Sequence, residues 1–393
     1  MAVNKKFELE TPCWIFKPDQ VLKNLADFSR SFHETGYSFK IAYSLKTNPL
    51  PQLIDILYTG GCMIEVVSYD EWRLTTERGI ATDRIIYNGP LKDKATFNEA
   101  LRKGAIVNIE TKRELEWLKE LAHKDSENQS INIGLRISVN LSEVYPKDAE
   151  GSNDYSRFGF SATNGELEAV LNELAGLHNV NLSGIHLHRT TRRRHTDYYR
   201  AVANYAADII EKFQLKLRYI DFGGGFHYQA PGQPSYKNYA DAITNTLRRR
   251  GIEDLEVIIE PGNALVGNAF NFMCEVIDVK EISSDERIVI VDGSRKDIDP
   301  LFHNRNYKIQ RLACQPAEPR SVMLQTIAGC TCMEYDRITK MDNSPEFKTG
   351  DRIIFTETGA YTMAFASEFI RKPAKVYTFH KGKFFANEHL MNI

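Results

Sequence analysis

Hydrophobic positions along the chain follow two alternating periods. Short runs rich in apolar and β-branched residues recur at FKIAYSL (39–45), CMIEVVS (62–68), RIIYN (84–88), AIVNI (105–109), INIGLRISV (131–139), LSGIHLH (182–188), RYIDFG (218–223) and LEVIIEP (255–261). Between them, apolar residues return every three or four positions, as in LPQLIDILY, TKRELEWLKELAHK, NGELEAVLNELAGL and TDYYRAVANYAADIIEKF. The first pattern predicts strands and the second helices, so residues 38–265 read as eight successive strand–helix units. That is the α/β pattern of a (β/α)8 TIM barrel. An open doubly wound sheet carries the same local pattern, and periodicity does not separate the two. After residue 265 the texture changes: FNFMCEVIDVK, ERIVIVDG, VMLQTIAG, DRIIFTE and KVYTFH are strands joined by turns, with little helix between them. They predict a C-terminal, mainly antiparallel β domain. The strand-like opening FELETPCWIFK joins it, giving a barrel over 30–265 and a discontinuous β domain over 1–29 and 266–393.

Composition narrows the function classes. The 393 residues are 42% hydrophobic and 26% charged with a net charge of −2, so no basic footprint points to nucleic acid. No apolar stretch reaches the ~20 residues that span a bilayer. The opening MAVNKKFELETP lacks the apolar core of a signal peptide, which predicts a cytoplasmic protein. Six scattered cysteines do not form a disulfide framework and are expected to be thiols. Cys330 and Cys332 lack a second Cys or His pair at ligand spacing, so no metal site is expected.

The ends of the predicted strands carry the chemistry. In a barrel, catalysis belongs where the strands' C-terminal ends converge. Those ends supply Lys46, Glu65, Asn88, Arg136, His188, Gly223, Gly224, Gly225 and Glu260. Alone, Lys46 is a solvated strand end, His188 a packed histidine and the glycine triplet a tight turn. Together, a lysine, a glycine-rich nest of backbone N–H groups and a carboxylate suit pyridoxal 5'-phosphate. The lysine holds its aldehyde as a Schiff base, the nest holds its phosphate and the carboxylate keeps its ring nitrogen protonated.

At this point the chain resembles the fold-type III pyridoxal-phosphate decarboxylases, which include diaminopimelate and ornithine decarboxylases and share the alanine racemase-like barrel. The motifs that carry the resemblance are YSLKTN, IEVVSYDE, SRFGF, GIHLHRTT, DFGGGF, EPG, GCTCMEYDRI and TGAYTMAFAS. The resemblance implies Lys46, Cys332 and His188 as catalytic residues, with His188 stacked on the cofactor ring. It implies cofactor contacts from Glu65, Arg136, Thr191, Gly223, Gly224, Gly225, Glu260, Gly262 and Tyr361. It implies a homodimer in which Cys332 of one chain serves Lys46 of the other. Candidate substrate contacts are Asp299 and His303 in DIDPLFHNRNY, and Met333 and Glu334 after the cysteine.

Three departures bear on substrate. Asn263 stands where the family usually has an arginine for the phosphate. Asp299 stands where diaminopimelate decarboxylases have an arginine for a distal carboxylate. Met333 separates Cys332 from Glu334, where diaminopimelate decarboxylases place glutamate and ornithine decarboxylases aspartate directly after the cysteine. Arg189, Arg192, Arg193, Arg194 and His195 crowd the loop after the sixth strand, where they could replace the missing phosphate partner or bind an anionic group on a larger substrate. The expected activity is α-decarboxylation of an amino acid, basic, dibasic or diaminopimelate-like. The alternatives are a decarboxylase acting on an amino-acid moiety of a larger molecule, a racemase, and a pyridoxal-phosphate-binding protein without turnover. Glu260 argues against the racemase, whose relatives pair the ring nitrogen with arginine.

Overall fold

Phe39–Ser44, Met63–Ser68, Ile85–Leu91, Ile106–Ile109, Ile131–Ile137, Val180–Leu187, Tyr219–Asp221 and Glu256–Ile259 form eight parallel strands in sequence order. The eighth pairs with the first through Phe39↔Val257, Lys40↔Ile258 and Ile41↔Ile259, so the sheet is a closed barrel rather than an open one. The computed structural model describes residues 5–124, 130–149, 155–189, 194–303, 307–315 and 320–386. Its backbone divides into two compact units. One comprises Asn24–Lys46 and Ile54–Leu265; the other comprises Met1–Lys23, Thr47–Leu53 and Val266–Ile393.

In the barrel unit, helices follow strands where the apolar period predicts them, at Lys112–Lys124, Glu166–Ala175 and Thr196–Phe213 among others. Their starts are chemically marked. Asp93 accepts from the Thr96 N–H, and Ser235 and Asn238 satisfy each other's backbone N–H groups ahead of Tyr236–Arg249. Each such cap contributes about 1 kcal/mol. Inside the barrel Ala42, Met63, Ile86, Tyr219 and Ile258 pack together. Tyr219 fits because Gly134 and Gly184 present no side chain. A Cβ on Gly184 would lie 2.2 Å from its ring, and one on Gly134 2.3 Å from its hydroxyl.

The second unit carries a nine-stranded sheet. Its main path runs Arg337–Pro345, Ser321–Ala328, Glu286–Val291, Phe270–Glu281, Cys13–Phe16, Lys375–His380 and Lys383–Ala386. Arg352–Phe355 pairs with Phe270–Glu281 and also with Ile309–Leu312. The opening segment does join this sheet, although its strand is only Cys13–Phe16, and Lys5–Glu8 is a 3-10 turn. Two pairings are parallel, Cys13–Phe16 with Lys375–His380 and Glu286–Val291 with Ser321–Ala328. The apolar pattern misses Arg337–Pro345, an edge strand (RITKMDNSP) whose mostly exposed side chains leave little to read. Leu9, Cys13, Ile15, Met273 and Ile354 form a core cluster in this unit.

Candidate active site

Lys46 leaves the first barrel strand in a short 3-10 turn, and its side chain turns toward a buried carboxylate. Its Nζ lies 2.8 Å from Glu65 Oε2 and 2.7 Å from Ser44 Oγ, and Ser44 Oγ also donates to Glu65 Oε2 at 2.7 Å. Glu65 is 1% exposed, so this is an ion pair reaching into the barrel mouth rather than a solvated lysine. Glu71, on the helix after the second strand, accepts from the Val67 N–H at 2.7 Å. Burial holds its carboxyl up at about 7, with the nearby Glu65 adding to the effect and Lys46 opposing it.

That shift has a consequence for stability. A carboxyl whose folded pKa exceeds its unfolded value contributes stability at low pH and loses it as pH rises from about 4.3 toward 7. Glu71→Gln keeps a carbonyl for the Val67 N–H. It should match wild type near pH 4 in urea unfolding and exceed it near pH 8 by up to about 3–4 kcal/mol. Equal stability at both pH values would contradict the assignment.

Glu260 ends the eighth strand, 3% exposed. Its Oε1 accepts from Asn88 Nδ2 at 2.6 Å, and its Oε2 lies 3.5 Å from His186 Nε2. Asp221, fully buried at the end of the seventh strand, completes a group whose polar atoms fall within 4.8 Å of one another. Burial pushes the Glu260 carboxyl up, but His186, Lys46 and the neighbouring Asp221 bring it down to about 2. Asp221 is driven well above the ordinary range by burial and by the Glu260 charge. Two buried carboxyls this close do not both ionise readily; Glu260 is the carboxylate and Asp221 keeps the proton.

The glycine triplet divides its work. Gly223 N–H donates to Asp221 Oδ1 at 3.0 Å, and Gly224 N–H to His188 Nδ1 at 3.2 Å. These two N–H groups are taken, so the triplet is not a simple three-donor nest. Both glycines are required sterically. A Cβ on Gly223 (φ +59°) would lie 2.5 Å from His188 Cβ, and one on Gly224 2.7 Å from the Glu260 carbonyl oxygen. Gly225 (φ +98°) has more room, since a Cβ there would meet only the Tyr199 hydroxyl, at 3.0 Å. His188 accepts through Nδ1. Burial lowers its pKa well below the usual histidine value, helped by Arg136 and Lys46, so the ring is neutral. Arg136 bonds Glu110 Oε2 at 2.9 Å, lies over the Phe158 ring, and has no hydrogen-bond partner for its Nε among the described residues.

The barrel unit therefore brings together Lys46, Glu65, Arg136, His188, the glycine triplet and Glu260, with Gly262 opening the turn Asn263–Val266. Thr191, Arg192 and Arg193 lie outside the described residues. The strand-end reading missed His186 and Asp221. The signal was present: His186 shares a strand face with His188 two residues on, and Asp221 stands two residues before Gly223.

The remaining candidates belong to the second unit. Cys332 is exposed on a turn held by Asp336, which accepts from the Thr331 N–H and hydroxyl and from the Arg295 N–H. Met333 takes the Tyr335 hydroxyl on its sulfur, and Glu334 is exposed. Asp299 is 3% exposed and engaged by Arg295 at 2.9 Å, while its other oxygen accepts from the His303 N–H. Asp299 thus shapes this segment through Arg295. Tyr361 has φ +57°, unusual for a bulky residue, and its N–H donates to the Thr47 carbonyl.

These residues fit pyridoxal phosphate on structural grounds. An ammonium at the barrel mouth, a buried carboxylate and a neutral imidazole converge around Gly223 and Gly224, where a side chain would clash. The matching family is described as "Pyridoxal-dependent decarboxylase, pyridoxal binding domain", over residues 19–267. The chain belongs to the pyridoxal-dependent decarboxylase family. Like other members, it is a pyridoxal-phosphate-dependent carboxy-lyase acting on an amino acid. This decarboxylase is 25% identical over 386 residues to diaminopimelate decarboxylase of Staphylococcus aureus (strain COL), covering 95% of this chain and 89% of the relative. The crystal structure of diaminopimelate decarboxylase from Methanocaldococcus jannaschii superposes with a TM-score of 0.85 at 22% identity, covering 98% of this chain and 91% of that one. The Paramecium bursaria Chlorella virus arginine decarboxylase superposes with a TM-score of 0.79 at 19% identity, over 95% and 98% of the two chains. At those identities the likeness of the two structures is one of fold.

Proposed function

We propose that the decarboxylase removes the α-carboxylate of a dibasic amino acid, and that Lys46 is the residue that attaches the cofactor. The observation that carries the assignment is the Lys46–Glu65 ion pair at the barrel mouth. It keeps the ammonium directed inward from a strand end. When bound, pyridoxal phosphate supplies the electron sink for the pair released as carbon dioxide departs.

The chain's own groups do the rest. Glu260, held ionised, would hold the protonated ring nitrogen of the cofactor by a hydrogen bond. Neutral His188 would line the ring, and the Gly225 backbone would be available to the phosphate. Glu65 and Ser44 hold the Lys46 Nζ and its proton. Cys332 of the partner subunit returns a proton to the α-carbon, which makes the active form a homodimer. Exposed Phe302 and Tyr335, with ring centroids 6.0 Å apart near the Cys332 turn, support an interface there. No helix among the described residues is long and apolar enough to cross a membrane, and we infer a cytoplasmic enzyme from the free thiols.

The test is carbon dioxide release with pyridoxal phosphate across L- and D-lysine, ornithine, arginine and meso-diaminopimelate. Turnover of one dibasic compound is expected. Release from none, with cofactor absorbance intact, would overturn the dibasic assignment and favour a larger conjugate. Racemisation without carbon dioxide would overturn the decarboxylase reading itself.

A further inference from the structure

Glu65 and Glu260 are both buried carboxylates at the barrel mouth, and like charges so placed repel strongly in a low-dielectric interior. One atom touches both. Asn88 Nδ2 donates to Glu65 Oε1 at 3.2 Å and to Glu260 Oε1 at 2.6 Å, spending both of its hydrogens. The Asn88 carbonyl accepts from Asn108 Nδ2 at 2.8 Å, and the Asn108 carbonyl accepts from the Tyr219 hydroxyl at 3.2 Å. All five side chains are at most 7% exposed.

We propose that Asn88 is a positioning residue whose amide lets Glu65 and Glu260 stay ionised together, with Asn108 and Tyr219 fixing the direction of that amide. The chain of bonds has one polarity. A flipped Asn88 would aim its carbonyl at two carboxylates and its NH2 at the NH2 of Asn108. Asn108 could turn only by giving up the bond it accepts from Tyr219 and making that hydroxyl the acceptor, and the Asn88 carbonyl would still face both carboxylates. The barrel backbone is shaped around the relay. A Cβ on Gly134 would lie 1.9 Å from Asn108 Oδ1, so glycine there leaves room for the amide. The amide thereby joins the carboxylate that holds Lys46 to the carboxylate assigned to the ring nitrogen. One group sets the charge at both ends of the chemistry. This functional consequence rests on the cofactor assignment; the electrostatic role of Asn88 does not.

The other charged and titratable groups facing the pair are Lys46, Glu71, His186, His188 and Asp221. They are unchanged in the variants, so a comparison with wild type isolates the relay. Without the amide, one carboxylate must take up a proton or bear the repulsion. Asn88→Ala, Asn108→Ala and Tyr219→Phe are to be compared with wild type by melting temperature from pH 5 to pH 8. The absorbance of bound pyridoxal phosphate is to be followed over the same range.

The melting deficit of Asn88→Ala should be about twice as large near pH 8 as near pH 5, because protonation at low pH removes the repulsion. Its cofactor spectrum should titrate within that range where wild type stays flat. Asn108→Ala and Tyr219→Phe should show the same signs in decreasing size. A deficit independent of pH would reduce Asn88 to a packing role and overturn the proposal. If Asn88→Ala does not fold, the two milder variants decide by the same criterion. A wild type that binds no cofactor yet shows the expected melting profiles in its variants would overturn the cofactor assignment and leave the relay standing.

Discussion

Alanine at Lys46 is expected to lower carbon dioxide release by at least about a thousandfold and to abolish the absorbance of covalently held pyridoxal phosphate. Two losses combine. The amine assigned to the cofactor disappears, and Glu65, 1% exposed, loses its cation while Ser44 and Asn88 still donate to it. Arginine at the same position separates these effects. Lys46→Arg retains a positive charge for Glu65 but cannot attach the cofactor. It should therefore be as inactive as Lys46→Ala while melting closer to wild type. Near-normal turnover in Lys46→Arg would show that the lysine is only an ion-pair partner and would remove the central assignment.

The largest expected effect on stability lies just behind the site. Lys92 and Glu114 are paired at 3.2 Å with side chains 0% exposed. Lys92 Nζ also donates to the Gly89 carbonyl at 2.6 Å and to the Asn108 carbonyl at 3.2 Å, over the Tyr87 ring. Burial raises the Glu114 carboxyl, and Lys92 is the main group opposing that rise. Lys92→Met removes the cation and strands the carboxylate, a change that costs about 3–5 kcal/mol when a buried pair is broken on one side. Urea unfolding at neutral pH reads the loss. Adding Glu114→Leu should restore part of it, since an apolar pair no longer contains an uncompensated charge. A loss below about 1 kcal/mol for Lys92→Met would mean that water reaches the pair. Because Lys92 also holds the Asn108 backbone, the variant should weaken the relay that ends on Glu65 and Glu260.

The rim of the barrel was legible because a strand's alternation and a helix's three-to-four-residue return are local properties. Reading the ends of eight apolar runs already selects Lys46, Glu65, Asn88, Arg136, His188 and Glu260. The same reading passes over Asp221 and His186, which stand inside apolar runs and acquire a role only when Glu260 arrives beside them. It also gives the glycine triplet three equivalent donors. The fold commits two of these to Asp221 and His188 and uses their missing side chains for close packing. Asp299, a substrate candidate by its place in the chain, has its carboxylate engaged by Arg295 four residues away, a pairing that its position alone does not record.

The sequence by itself determined the order of strands and helices, the family, the cofactor and the polar residues at the strand ends, since each is encoded within a few neighbouring positions. Only the tertiary structure decided that the sheet closes and which of those residues share protons. Asn88 and Glu260 are 172 positions apart, and their 2.6 Å bond exists because closure brings the third and eighth strands around one mouth. Side-chain reach across a barrel depends on register, tilt and packing, and no local period records these.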